Sequence, residues 1–241
     1  MKVRKIISSI ILIIAIGVFC YSAYRLYGIY SEYKRGDDEY EEVEKIAFAS
    51  TEAKEEIDLE ALKKINDDVI GWIDFATIPI NYPVVKGEDN DFYLTHTFNK
   101  EENKSASIFA DYMNKGDFTD KNTIIYGHNM KNKSMFGLLN NYKDEDYYKS
   151  NPGFYIYDFT GKHYYEIFSC YTVEADGDIY QINFVSDEDF INYVDKAKSR
   201  SNYKTDVKID ETDKLILLST CTTNDDYRFV VHAVRRYYTR K

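Results

Sequence analysis

The chain has three cysteines, and one of them stands where a nucleophile is both rigidly held and accessible. Cys221 ends the largely apolar run 215–220 and precedes the polar stretch 222–226. A thiol at the end of a core strand is a candidate nucleophile when a histidine can reach it. Cys20 lies inside an apolar segment and Cys170 in a strand pattern without polar companions, which is typical of buried, inert thiols.

The histidine best placed to serve such a nucleophile is His128. Residues 124–126 predict a strand, Gly127 permits a sharp exit from it, and His128 follows at the strand end. The sequence has no HExxH or CxxC motif and no two histidines at metal-ligand spacing, so we expect no zinc site and no other cofactor. The remaining histidines occupy predicted surface or strand-face positions: His96, His163 and His232.

Arg228 begins the predicted strand after Cys221, seven residues further along the chain. A hairpin between the two strands would return Arg228 to the side of Cys221, where a fixed guanidinium stabilises a developing oxyanion. Alone, Arg228 is better explained as a solvated residue at a strand start, but together with Cys221 and His128 it favours acyl transfer. Two explanations stay open for Asp225 and Asp226: one of them orients His128, or both are solvated loop carboxylates.

Short strands must position these residues. Eight runs rich in β-forming residues are separated by turn sequences, and this spacing favours a mainly β closed barrel or sandwich. The stretch from 31 to about 75 has a helical pattern, with Asp58 as an N-cap and Gly71 after a helix end. Helical inserts are predicted at 134–141 and 187–199. The predicted strands are 72–75, 80–85, 106–110, 123–126, 154–159, 164–173, 215–220 and 228–237.

An uncharged, mostly apolar run occupies residues 6–24, and its length is sufficient to span a bilayer. Lys2, Arg4 and Lys5 precede it, which favours an amino terminus inside and a carboxyl terminus outside the cell. A cleaved signal peptide is the alternative, but the run is longer than the usual apolar core and 19–24 is a poor cleavage site. A buried soluble helix is disfavoured because no polar face is visible.

Composition bounds the remaining possibilities. The 241 residues include 31 Lys and Arg against 41 Asp and Glu, and the net charge of −10 argues against nonspecific nucleic-acid binding. Between residues 36 and 60 there are 11 acidic and 2 basic residues, so the acidity belongs to an arm beside a nearly neutral domain. With 44% hydrophobic and 16% aromatic residues the chain can bury a core, which excludes general disorder. Three cysteines exclude a disulfide scaffold.

At its candidate catalytic residues the sequence resembles the sortases, which are cysteine transpeptidases of Gram-positive cell surfaces. The resemblance lies in Leu218, Ser219, Thr220 and Cys221 followed by Arg228, with His128 upstream in the run Tyr126, Gly127, His128, Asn129 and Met130. It is greatest to class B, through segments 66–73, 80–85 and 90–94 and the helical insert at 187–199. It extends over residues 59–238.

The resemblance implies an eight-stranded β-barrel with N-terminal helices and a helical insert between late strands. It implies cleavage of a five-residue sorting signal after its Thr, of the Asn-Pro-x-Thr or Ser-Pro-x-Thr kind, through a thioester. The acceptor would be an amine of a cell-wall peptidoglycan precursor or a pilin lysine, and the substrates surface proteins that carry the signal. The implied organisation is a cytoplasmic tail (1–5), a transmembrane anchor (6–24), an acidic helical arm (25–58) and an extracellular catalytic domain (59–241).

The family's site residues transfer to this chain by position. Cys221 would be the nucleophile, His128 the general acid and base, and Arg228 the donor to the oxyanion. Five further residues are expected to bind substrate: Asn90, Leu94, Tyr180, Ser219 and Thr220. The resemblance implies no metal.

Two other functions stay open on the sequence. A secreted cysteine peptidase would use the same three residues and release its thioester with water. A non-enzymatic surface binding module would hold Cys221 in a disulfide with Cys170, as extracellular proteins commonly do.

Overall fold

The computed structural model describes residues 2–49, 56–221 and 226–237, with Cys221 described by its backbone. Within these residues eight strands close into a barrel in the order β1-β2-β3-β4-β7-β8-β6-β5. This confirms the predicted mainly β, eight-stranded barrel. The strands are β1 Val69–Asp74, β2 Asn81–Val85, β3 Ile108–Ala110, β4 Asn122–Tyr126, β5 Gly153–Asp158, β6 Gly161–Glu174, β7 Leu215–Cys221 and β8 Tyr227–Arg236.

Strand ends differ from the sequence prediction by up to three residues, and one difference has a clear local cause. The predicted strand 106–110 begins two residues later, as β3. Ala106 has a φ of 54°, in the left-handed region, so the extended backbone starts only after it. The described helices are α1 Lys2–Phe48, α2 Leu59–Lys63, α3 Glu145–Ser150 and α4 Asp187–Arg200, with 3-10 turns at Phe92–Leu94 and Leu139–Lys143.

The helix predicted from 31 to about 75 is wrong in its second half. Asp58 caps α2 as predicted, because its carboxylate accepts a hydrogen bond from the Ala61 backbone at 2.8 Å. That helix ends at Lys63, however, and Gly71 belongs to β1 rather than to a helix end. A Cβ on Gly71 would lie 2.7 Å from the carbonyl oxygen of Tyr157, so the glycine permits close packing of neighbouring strands.

The helical insert predicted at 134–141 begins later, with the 3-10 turn and α3. Lys133 and Met135 have φ values of 71° and 51°, which no right-handed helix accommodates. The insert predicted at 187–199 is confirmed as α4, and Ser186 caps it by accepting a hydrogen bond from the Asp189 backbone.

Helix α4 covers the outside of the strands that carry the candidate site. Its buried side chains form one stripe, Phe190, Tyr193, Val194 and Ala197. They pack in one cluster with Leu217 of β7 and Val230 of β8. Because both faces of β7 are thereby buried, the strand that ends at Cys221 is firmly held.

Helix α1 connects the apolar N-terminal segment to the barrel. It is the one helix in the described ranges that is long and apolar enough to cross a bilayer, a test that a signal sequence also passes. Its later part packs on the barrel domain through Tyr40, Val43 and Ala47, and the Tyr40 hydroxyl donates to the Ala106 carbonyl at 2.5 Å. Part of the acidic arm is therefore docked on the domain.

His232 makes the stability of this fold depend on pH. The side chain is fully buried in β8, its Nε2 lies 3.1 Å from the Tyr171 hydroxyl, and its Nδ1 has no hydrogen-bond partner among the described residues. Burial lowers the pKa of His232 from 6.5 to about 3, and the charge of Arg200 acts in the same direction. The unfolded chain therefore protonates His232 at a higher pH than the folded protein does. The free energy of unfolding consequently decreases as the pH falls from 6.5 towards 3.

We expect His232→Phe to remove this dependence. The unfolding free energy of the wild type should fall relative to the variant by about 1.4 kcal/mol per pH unit between pH 5.5 and 4.5. Urea unfolding of both proteins at several pH values measures the difference, with His96→Phe as the control at a partly exposed histidine. Parallel stability curves for wild type and His232→Phe would contradict the prediction.

Candidate active site

Two parallel strands bring His128 and Cys221 to the same end of the barrel. Strand β4 pairs with β7 so that Tyr126 lies opposite Ser219, and the Gly127 backbone donates to the Ser219 carbonyl at 3.2 Å. His128 follows Tyr126 by two positions, and Cys221 follows Ser219 by two positions. Their backbones therefore lie at neighbouring carboxyl ends of the sheet, as the sequence predicts.

The antiparallel register of the next strand adds Arg228. In the pairing of β7 with β8, Cys221 lies directly opposite Arg228, and Arg228 also pairs with Val173 of β6 on its other side. The Arg228 side chain is half-buried, and its guanidinium donates to the Tyr227 carbonyl at 3.0 Å. The predicted hairpin return is thus observed in the backbone.

Gly127 is required where the chain leaves β4. A Cβ at this position would lie 2.5 Å from Cδ1 of Ile108 and 2.7 Å from Cδ2 of Phe136, both buried side chains. Any larger residue would displace the chain just before His128. The glycine predicted as a permissive exit therefore acts through close packing.

A main-chain carbonyl holds the ring of His128. Its Nε2 lies 2.7 Å from the carbonyl oxygen of Leu94, at the end of the 3-10 turn Phe92–Leu94. A carbonyl only accepts, so Nε2 carries the hydrogen, and in the neutral ring Nδ1 is the basic nitrogen. Leu94 was predicted to line the groove, and its backbone has this additional contact.

The sequence left open whether a loop carboxylate, that of Asp225 or Asp226, orients His128. Asp225 lies outside the described residues. The Asp226 carbonyl accepts a hydrogen bond from the Ala175 backbone at 2.8 Å. An orienting role for either carboxylate stays a prediction, whereas the Leu94 contact is present in the structure.

A cavity of about 250 Å³ opens at this end of the barrel. The structure brings His128, Arg228 and every residue predicted to bind substrate to its wall. Sequence reasoning missed four further lining residues, although Tyr126 and Gly127 stand directly before His128. Among the described residues, the lining is Asn90, Leu94, Phe109, Tyr126, Gly127, His128, Ala175, Tyr180, Ser219, Thr220 and Arg228.

Hydrogen bonds and aromatic contacts order one side of this cavity. The hydroxyl groups of Tyr180 and Ser219 lie 3.0 Å apart, and the rings of Tyr126 and Tyr180 have centroids 6.2 Å apart. Thr220 Oγ1 is buried and has no hydrogen-bond partner in the described part of the chain. This side of the cavity therefore combines aromatic rings with a few polar groups that can orient a ligand, as is usual in sites for organic ligands.

Cys170 is a free thiol, which contradicts its proposed disulfide with Cys221. Its S–H donates to the Tyr142 carbonyl at 2.9 Å, and its sulfur lies 3.1 Å from the Tyr203 hydroxyl. Burial raises the pKa of Cys170 to about 11, so the thiol stays protonated.

Topology also separates the two cysteines. Cys170 and Leu218 both lie opposite Val231, so β8 runs between the two cysteine-bearing strands. Two strand spacings amount to about 9.5 Å, beyond the Cα separation of about 4.4–6.8 Å that a disulfide requires. The binding module with a Cys170–Cys221 bridge is therefore wrong.

The structure offers no evident place for a metal in the ranges 2–49, 56–221 and 226–237, where no group of three or more His, Cys, Asp or Glu side chains is arranged to hold one.

Comparison with known proteins agrees with this geometry. Residues 73–236 match the family model of the sortase domain. A sortase B of Listeria monocytogenes is 35% identical over 232 residues, which cover 94% of this chain and 94% of that protein. A Staphylococcus aureus sortase B–substrate complex superposes with a TM-score of 0.80 at 29% identity, covering 87% of this chain and 100% of the other.

A crystal structure from Bacillus anthracis, of a protein similar to sortase B, superposes with a TM-score of 0.77 at 34% identity and covers 84% of this chain and 96% of the other. The chain therefore belongs to the sortase family, whose members are cysteine transpeptidases. Within that family its relatives are sortase B proteins, as the class B resemblance of the sequence implies.

Proposed function

We propose that this chain is a membrane-anchored transpeptidase that cleaves a C-terminal sorting signal after Thr and joins the protein to an amine of a cell-wall precursor. One observation carries the proposal. His128, Arg228 and the five predicted substrate-binding residues surround one cavity, at the end of the strand on which Cys221 stands. A sortase B–substrate complex of Staphylococcus aureus is similar to this chain, which supports substrate binding by this fold.

The first half of the proposed reaction forms a thioester. An ordinary thiol has a pKa near ~8.5, so His128 assists by accepting the Cys221 proton at Nδ1. The thiolate attacks the Thr carbonyl carbon, a C–S bond forms, and the carbonyl oxygen becomes an oxyanion to which Arg228 donates. Collapse breaks the C–N bond, and His128 returns its proton to the leaving amine.

The second half reverses these steps with a different amine. The acceptor attacks the thioester carbon and loses a proton to His128, while Arg228 again donates to the oxyanion. The C–S bond then breaks, and a new amide is released with Cys221 as thiolate. No cofactor takes part, because the leaving amine, the acceptor and the three side chains balance every proton and electron pair.

We propose that α1 anchors the enzyme with its amino terminus inside the cell. Its apolar first part is followed, within the same helix, by the residues that pack on the barrel, such as Tyr40 and Val43. A continuous helix would keep the catalytic domain close to the outer surface of the membrane, where signal-bearing surface proteins and cell-wall precursors are available. Labelling of the surface of intact cells tests this orientation. A catalytic domain that is protected from the label would contradict it.

Peptide cleavage tests the proposed reaction. The full chain in detergent is mixed with five-residue peptides of the Asn-Pro-x-Thr and Ser-Pro-x-Thr kinds, with and without a glycine-type amine or a lysine amine, and products are identified by mass spectrometry. Cleavage after Thr with an amine adduct is the expected result. Cleavage with water alone would indicate the peptidase alternative, and no cleavage of any peptide would contradict the proposal.

We expect Arg228→Gln to lower kcat/KM by about 10²–10³-fold, because glutamine lacks the charge that stabilises the oxyanion. The loss should fall on kcat, since the donor acts mainly in the transition state. Arg236→Gln is the matched control, because Arg236 lies at the other end of β8 and donates to Glu166 at 2.7 Å. A loss of less than about threefold in kcat for folded Arg228→Gln would contradict this role.

A further inference from the structure

A buried carboxylate lies directly behind the cavity wall. Asp111 follows β3 and is 4% exposed. Its Oδ2 accepts hydrogen bonds from Asn90 Nδ2 and from the Tyr126 hydroxyl, both at 2.9 Å, and its Oδ1 accepts from the Met113 backbone at 2.9 Å. In the described part of the chain no Lys, Arg or His forms an ion pair with Asp111. Neutral donors therefore satisfy the carboxylate, and two of them belong to residues that line the cavity.

Asp111 fixes which way the Asn90 amide faces. The Asn90 oxygen accepts from the Tyr112 backbone at 3.0 Å while its nitrogen donates to Asp111. Reversing the amide would set its oxygen against the carboxylate and its NH₂ against a backbone N–H. The second Nδ2 hydrogen of Asn90 is therefore left as a donor beside the cavity, suited to a peptide carbonyl.

Asp111 also fixes Tyr126. The Tyr126 hydroxyl donates its hydrogen to the Asp111 carboxylate, which fixes the position of the Tyr126 ring. The centroid of this ring lies 5.3 Å from that of Phe109 and 6.2 Å from that of Tyr180. Burial and the negative charge of Asp111 raise the pKa of Tyr126, so its hydroxyl stays a donor. One carboxylate thus orders a polar and an aromatic part of the same wall.

We propose that Asp111 is a positioning residue for substrate: it holds Asn90 as a donor to a backbone carbonyl of an extended peptide and Tyr126 as an aromatic wall for a peptide side chain. The inference rests on the proposed function, since it concerns binding of the sorting signal in the same cavity. It assigns Asp111 to binding rather than to bond making, because the carboxylate reaches the cavity only through its two partners.

The test compares Asp111→Asn with Asp120→Asn in the full chain in detergent. Asp120 is the control: it is 6% exposed, lies between β3 and β4, and accepts from Asn114 Nδ2 at 2.9 Å and from the Lys115 backbone at 2.7 Å. It differs from Asp111 in one respect, since its Oδ1 also lies 3.8 Å from the exposed Lys115 Nζ. Asparagine keeps the shape of either side chain and removes its charge. Steady-state cleavage of the best peptide, the rate of Cys221 alkylation and the thermal midpoint are measured for each variant.

We expect Asp111→Asn to raise KM about tenfold with kcat changed less than about threefold, because a charge-assisted hydrogen bond to a binding group is lost. Alkylation of Cys221 should keep its wild-type rate, and Asp120→Asn should keep the wild-type KM. In an Asn90→Ala background, Asp111→Asn should add less than about threefold to KM, because the two residues act together.

Several results would overturn the inference. They are an unchanged KM in folded Asp111→Asn, an equal rise of KM in Asp120→Asn, and full additivity with Asn90→Ala. A wild-type chain that cleaves no peptide would instead overturn the proposed function itself, and the inference with it. The two failures are distinguishable because the wild type is active in the first group of results and inactive in the last.

Discussion

Cys221→Ala should abolish peptide cleavage and amine adducts together, with a loss of at least about 10⁴-fold in kcat. No other group of the site can form the thioester, and removal of a covalent nucleophile leaves only binding and oxyanion stabilisation. Binding of the peptide should survive, because Asn90, Tyr180 and the other groove residues are unchanged. The measurement is product formation by mass spectrometry beside peptide binding to the same variant by fluorescence polarisation.

The chain supplies its own control for this experiment. Cys170→Ala removes a thiol that is fully buried and whose pKa is raised to about 11, so it should retain wild-type kcat after any loss of stability is allowed for. Iodoacetamide should modify Cys221 and spare Cys170 in the folded protein. Retained cleavage in Cys221→Ala, or activity that depends on Cys170, would assign the nucleophile elsewhere.

The sequence could indicate which residues come together at the candidate site because they stand at the ends of strands. A strand end is visible in one dimension, as an apolar run that stops at Cys221 or at Tyr126 before His128. Parallel pairing of β4 with β7 then aligns these ends automatically. The strands of the barrel could be predicted for a similar reason, because each is a short run of β-forming residues bounded by turn sequences.

Contacts between distant segments could not be predicted in this way. The Leu94 carbonyl that holds His128 belongs to a segment 34 residues earlier, and no side-chain pattern marks a carbonyl. No sequence pattern distinguishes Asp111 from other loop carboxylates. Only the fold places its side chain against Asn90 and Tyr126.

The error over residues 59–71 has a similar physical origin. Leu59, Leu62, Ile65 and Val69 recur at spacings of three and four, which made one helix from 31 to about 75 a reasonable prediction. Leu59, Leu62 and Val69 are buried, but Ile65 is exposed. Val69 is buried in β1 instead, where the barrel interior replaces the helix face as the apolar surroundings. Spacing alone does not distinguish two adjoining elements that bury residues in the same core.

His128→Gln should lower kcat/KM by about 10²–10⁴-fold, because glutamine can still donate to the Leu94 carbonyl but cannot carry a proton between thiol and amine. The proposed proton transfer gives this variant a specific signature. An activated thioester substrate has a leaving group that needs no proton. In His128→Gln, acylation of Cys221 by this substrate should therefore be impaired much less than peptide cleavage. His96→Gln is the matched control, since His96 stacks on Phe92 at 4.1 Å and is not among the residues that line the cavity. Equal losses on the peptide and the activated substrate would contradict a proton transfer from His128 to the leaving amine, whereas a smaller loss on the activated substrate alone requires that transfer.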